Sequence, residues 1–145
     1  MNFSLAQLEA IFCDDVRTED NGKKLLIGVY ENLMLFTSFP ASLPRLIVTL
    51  SLFMTSDRVP AQSLRFVILK DEEVFAEAEI PYEQAKDALE QARSKTEDGS
   101  LSKLRAEFIF SPFQVEAGCR IRPRAYIDGV ELRAPGLLIQ DAEGI

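Results

Sequence analysis

Two dipeptides, Asn21-Gly22 and Asp128-Gly129, each stand between runs that alternate apolar with polar residues. A tight two-residue hairpin turn needs positive φ at both central positions, which Asn-Gly and Asp-Gly adopt at little cost. Alternation at period two sends one set of side chains inward and the other outward. The pattern predicts an antiparallel hairpin near each end of the chain. It constrains architecture strongly and says nothing of chemistry.

Counting from Asn21-Gly22 sets Asp20 opposite Lys23, Glu19 opposite Lys24, Thr18 by Leu25 and Val16 by Ile27, in a ribbon of residues 8–20 and 23–30. Phe12 and Asp14 share the inward face, with room for a bulge near Asp14-Asp15. A short strand at 33–36 precedes an irregular crossing at 38–44, where Pro40 and Pro44 disfavour pairing. Residues 45–55 read as a strand with Leu46, Val48, Leu50, Leu52 and Met54 on one face. A loop at 56–62 leads to a second hairpin, 64–69 and 74–80, turning at 70–73. Pro81 then opens a helix over 82–94, with Tyr82, Ala85, Leu89 and Ala92 on its apolar stripe and Lys86 one turn from Glu90. The helix ends at 95–100. A strand at 104–110 directs Leu104, Ala106, Phe108 and Phe110 inward, 111–118 forms a loop, and 119–127 with 130–139 make the closing hairpin. The whole, residues 1–145, reads as one mainly-β domain. The expected fold is an antiparallel β-sandwich of eight or nine strands with one short helix.

Composition narrows the function. A chain of 145 residues buries about two-thirds of its unfolded surface, so it needs no disulfide or metal staple. Cys13 and Cys119 are the only cysteines and read as buried, reduced thiols. The absence of histidine removes Ser-His-Asp and Cys-His nucleophiles and His-ligated zinc. No cofactor or metal is implied. The longest apolar run, residues 46–54, is too short for a bilayer, and residues 1–9 lack a signal-peptide pattern, so a cytoplasmic protein without a membrane partner is expected. Ten acidic residues against Lys86, Arg93 and Lys95 fall within 71–98, so this segment carries the whole net charge of −7. That distribution argues against nucleic acid as a partner.

The stretch Ala10-Ile11-Phe12-Cys13-Asp14-Asp15-Val16-Arg17, followed by Glu19, Gly22-Lys23 and Leu26-Ile27-Gly28-Val29-Tyr30, resembles an uncharacterised bacterial and phage family. That family opens with a similar Cys-Asp-Asp-x-Arg and Gly-Val-Tyr pattern. Ser38-Phe39-Pro40-Ala41, Leu43-Pro44 and Ser111-Pro112-Phe113 are similar to it as well. The resemblance spans most of the chain and implies a β-rich domain. It transfers no activity.

Four constellations remain. Asp14, Asp15, Glu19 and Asp20 offer oxygen ligands for calcium, but alternation splits Asp14 from Asp15 and two lysines neutralise the turn. Glu77 and Glu79 share a strand face without a visible cleft, and read as an exposed acidic stripe. Gly22-Lys23-Lys24 lacks the spacing of a phosphate loop. The sharpest candidate is Arg120, Arg122 and Arg124, which period two places on one face while Cys119, Ile121, Ala125 and Ile127 turn away. The Asp128-Gly129 turn sets Arg124 opposite Arg133 and Tyr126 opposite Glu131. Like charges across a strand pair repel, so an acidic group must offset them. Carboxylates of the acidic middle segment are the expected internal source, and Pro123 suggests an edge or bulge that an external anion could reach. The expectation is a non-catalytic recognition or assembly module that binds a protein partner or a second copy through Arg120, Arg122, Arg124, Arg133 and Tyr126. A small-anion-binding domain using the same face ranks second. A carboxylate-dependent hydrolase ranks third.

Overall fold

The structure, a computed structural model, describes residues 6–55, 63–94 and 101–142, without the side chains of residues 89, 92–94 and 101. Twelve strands and one helix follow in the order β1 (Ala6–Thr18), β2 (Lys24–Tyr30), β3 (Leu33–Phe36), β4 (Ala41–Leu43), β5 (Leu46–Thr55), β6 (Ser63–Lys70), β7 (Glu73–Pro81), α1 (Tyr82–Ser94), β8 (Leu101–Phe110), β9 (Phe113–Val115), β10 (Cys119–Ile127), β11 (Val130–Arg133) and β12 (Leu137–Asp141). Sheet 1 runs β2-β1-β5-β8 and is antiparallel throughout. Sheet 2 runs β3-β12-β10-β6-β7, with β11 also beside β10 and one parallel pair, β12 with β3. β4 and β9 form a small third sheet. The expected mainly antiparallel sandwich with one helix is what the chain forms, and β4 and β9 are short strands within stretches expected to be loops.

The core lies between the two large sheets. Leu46, Val48, Leu50, Leu52 and Met54 of β5 are fully buried, as their alternation predicts, and face Leu64, Phe66 and Ile68 of β6 and Ile121, Ala125 and Ile127 of β10 in one cluster. Burying each large apolar side chain contributes about 1.5–3 kcal/mol, which is why period-two strands commit to one face. Phe75, Phe110 and Phe113 add an aromatic group with centroids 5.0–6.1 Å apart. The helix occupies the expected 82–94 and packs on β6, β7 and β8 through Ala85. Lys86 and Glu90 form no ion pair among the described residues. The expected loop at 56–62, the helix end at 95–100 and the side chains of Leu89 and Ala92 lie outside the described residues.

Three expectations need correction. At the first turn only Gly22 has positive φ, and Glu19 donates its N–H to the Lys23 carbonyl while accepting from the Gly22 N–H. This is a three-residue loop closed by a glycine bulge, not a two-residue turn. The register is therefore one residue off the expected one: Thr18 pairs with Lys24 and Val16 with Leu26, and Ile27 turns outward opposite Asp15. Lys23 meets Glu19 at 3.8 Å instead of Asp20. The β1–β2 pairing keeps this register without a bulge at Asp14-Asp15. Second, residues 130–139 do not make one strand, because Ala134-Pro135-Gly136 separates β11 from β12. Third, β10 is no edge strand. β6 lies along one side, and β12 and then β11 along the other.

The β6–β10 pair is clamped at both ends by an aspartate in the left-handed region. Asp71, at φ 55°, donates its N–H to the Arg120 carbonyl at 2.7 Å and accepts the Arg120 N–H on Oδ1 at 2.9 Å. Asp128, at φ 50°, does the same with Ser63 at 3.1 and 2.9 Å. Each carboxylate thus continues the ladder one step past the last strand pair. Asp128→Ala should lower stability by about 1–2 kcal/mol, because the Ser63 N–H loses a charged acceptor. Asp20→Ala in the exposed first loop should change it by less than about 0.5 kcal/mol. Thermal melts of the two variants check the contrast.

Candidate functional site

Strand β10 builds the site. Its inward residues Cys119, Ile121, Pro123, Ala125 and Ile127 are buried, which leaves Arg120, Arg122, Arg124 and Tyr126 on the outer face of sheet 2. Pro123 sits where pairing passes from β12 to β11. Its carbonyl accepts the Ala134 N–H at 3.4 Å, so its nitrogen points the same way, into the break at 134–136. A proline there removes no ladder hydrogen bond, which explains how it stands in a central strand. Gly136 lets the break lie close: a Cβ there would run into the Ile121 carbonyl.

The break leaves a cleft of about 430 Å³ lined by Arg120, Arg122 and Arg124 together with Asn32, Gly136 and Leu138. Ile121, Ala134 and Leu137 complete the wall, and among the described residues no acidic one lines it. Arg120 is exposed, Arg122 half-buried, and neither forms an ion pair among the described residues. Arg124 is different. Its side chain is only 10% exposed, its Nη1 donates to the Pro123 carbonyl at 2.8 Å, and its Nε lies 3.9 Å from Glu131 Oε1. Burial, then repulsion from Arg133 and Arg122, draws its pKa down against the pull of Glu131. It stays protonated, since a guanidinium starts far above neutral pH. Three cations around one opening give a site for carboxylate or phosphate oxygens.

Arg124 and Arg133 stand opposite each other, as do Tyr126 and Glu131, in the expected register. The offsetting acid is Glu131 of the same hairpin, not the acidic middle segment. It accepts from Arg133 on Oε1 and from the Tyr126 hydroxyl on Oε2 at 3.0 Å. The middle segment contributes elsewhere: Asp71 holds the Arg120 backbone, and Glu77 pairs with Arg65 at 3.6 Å. Arg65 in turn lies 4.7 Å over the Tyr126 ring. The structure thus brings Arg120, Arg122 and Arg124 around one cleft, while Arg133 and Tyr126 belong to the adjoining ion network and do not line it. Asn32 and the 134–136 break were not read from the sequence as parts of the site, although Pro135-Gly136 is a visible strand breaker.

Of Asp14, Asp15, Glu19 and Asp20, all but Asp20 have a side-chain partner among the described residues. Tyr30 donates its hydroxyl to Asp14 Oδ1 at 2.9 Å, and burial together with that carboxylate pushes the phenol up to about 12. Asp14 keeps the face of Phe12 but lies beyond the last β1–β5 pair, so it is exposed where inward burial was expected. Gly28, at φ 67°, has no Cβ to collide with it. Burial works against the Asp15 carboxylate, but the Val16 N–H, Arg17 and Arg45 hold its pKa below the usual value. Arg45 reaches it at 3.1 Å. Among the described residues, no group of three or more His, Cys, Asp or Glu is placed to hold a metal. No described helix is long and apolar enough to cross a membrane. Cys13 and Cys119 are free and buried, and burial raises both thiol pKa values.

Contacts with Arg133 and Tyr126 hold the Glu131 carboxyl below its ordinary value of 4.5. A depressed folded-state pKa means a contribution fully present above the unfolded value and lost as pH falls through the folded one. Glu131→Gln should therefore melt lower than the parent at neutral pH. The gap should close as the pH drops below 4.5 through the lowered folded value. A gap that is constant down to strongly acidic pH would remove Glu131 from its bridging role.

No curated protein and no solved structure matches the chain. A family model described as a family of unknown function, DUF6941, matches residues 8–139. That span holds the helix, every residue of the Arg-lined cleft and both large sheets apart from the outer ends of β1 and β12, so the chain belongs to DUF6941.

Proposed function

We propose that this protein is a non-catalytic, cytoplasmic recognition module whose Arg-lined cleft takes up an acidic side chain of a protein partner. One observation carries the reading: Arg120 and Arg122, which form no ion pair among the described residues, line an opening that the buried Arg124 lines as well. Such an arrangement repels itself and gains by accepting an anion. Two buried thiols that remain free suit a reducing compartment. Self-association belongs to the same reading, with a second copy supplying the acidic side chain. A phage or prophage setting follows from the resemblance of the Cys13–Arg17 and Gly28–Tyr30 stretches.

The cleft volume favours a second reading, a small free anion, since about 430 Å³ falls within the ordinary range for small-ligand sites. Titrating the protein with a Glu-rich peptide and, separately, with inorganic phosphate distinguishes the two. The peptide should bind, and binding should weaken as salt rises, because exposed charges are screened over about 8–10 Å at physiological ionic strength. Arg120→Glu combined with Arg122→Glu should abolish it without lowering the melting temperature by more than a few degrees. Saturable phosphate binding with no response to the peptide would support the small anion. Unchanged peptide binding by the double variant would contradict both readings.

A further inference from the structure

We propose that a second copy of this chain pairs antiparallel with β2 across a two-fold axis at Ile27, carrying sheet 1 from one molecule into the next. β2 is the outer strand of sheet 1, and no described strand pairs with its far side. At the other edge of that sheet β8 packs on α1, as does β7 at the edge of sheet 2. A bare strand edge is a template for another strand, and identical copies satisfy it with closed symmetry.

The register follows from the backbone. Glu19 donates its N–H to the Lys23 carbonyl across the first loop, so in the register that follows the odd-numbered residues of β2 face their backbone groups toward β1. Residues 24, 26 and 30 therefore direct theirs outward, while Gly28, at φ 67°, departs from the extended conformation. Two copies exchange hydrogen bonds only in registers that pair even with even. Centring on Ile27 sets Lys23 against the partner's Glu31, Leu25 against the partner's Val29, and Ile27 against itself. Charge and apolarity match at every outer-face pair. Centring on Leu26 would put Lys23 against Val29, and centring on Gly28 would put Leu25 against Glu31. Only the Ile27 register is self-complementary.

Exposure agrees with it. Leu25, Ile27 and Val29 are 46%, 38% and 52% exposed on the outer face, an unusual apolar series for a free edge. In the Ile27 register each gains an apolar cross-strand neighbour. Gly28 falls opposite the partner's Leu26, and its missing side chain leaves the inner face clear.

Sedimentation equilibrium of the full chain, from low to high micromolar concentration, tests the pairing. The parent should follow a monomer–dimer equilibrium, and Ile27→Lys, which opposes like charges at the axis, should weaken it by at least about tenfold. Lys23→Glu alone should also weaken it, whereas Lys23→Glu with Glu31→Lys should restore it. These residues are exposed, and a melt of each variant verifies folding. A parent that stays monomeric, a dimer indifferent to Ile27→Lys, or a charge swap that does not restore association overturns the proposal. Because β2 and the cleft lie on different sheets, such a result leaves the reading of the arginines standing.

Discussion

Strand β10 hydrogen-bonds along both edges, and the rest of sheet 2 is arranged by that pairing. On one side it runs beside β6 from Ile121 to Ile127, fastened at each end by Asp71 and Asp128. On the other it meets β12 and then β11. Because its inward residues are all buried, its outward ones cannot be anything but the arginines and Tyr126. The hydrophobic requirement of the core thus dictates where the charge is placed. β11 and β12 part at Ala134-Pro135-Gly136, opposite Pro123, which has no N–H to leave unpaired, and the separation is the cleft.

The arginines on that face divide into two kinds. Arg124 and Arg133 are tied to Glu131, which also takes the Tyr126 hydroxyl, so this part of the surface is an internally compensated network. Arg120 and Arg122 lack such compensation among the described residues. A surface built only for stability would pair them as well, since unopposed like charges cost free energy wherever they are partly desolvated. The contrast within one strand carries the functional reading more firmly than the net charge does.

Much of the fold was legible because its strands obey period two. The β5 core stripe, the inward face of β10 and the Arg124–Arg133 pairing follow from alternation and from one Asp-Gly turn, and the 82–94 helix from Pro81 and an apolar stripe at helical spacing. The errors have separate physical origins. Asn21-Gly22 suits two loop lengths, and the choice of a glycine bulge shifted every pair of the ribbon by one residue. Sequence does not report which strand pairs with which over long range. It therefore could not show that β12 continues to β3, that Asn32 reaches the cleft, or that Glu131 rather than the middle segment neutralises Arg124. Pro135-Gly136 was the one overlooked local signal.

One face of sheet 2 carries two accessible arginines beside a third held inside the fold. Timed modification of the native protein with phenylglyoxal, read residue by residue by mass spectrometry, tests it most directly. Arg120 should react first and Arg122 next, while Arg124 should stay protected until the protein unfolds. Comparable rates at Arg122 and Arg124 would contradict this arrangement, because the Arg124 side chain is nine-tenths buried.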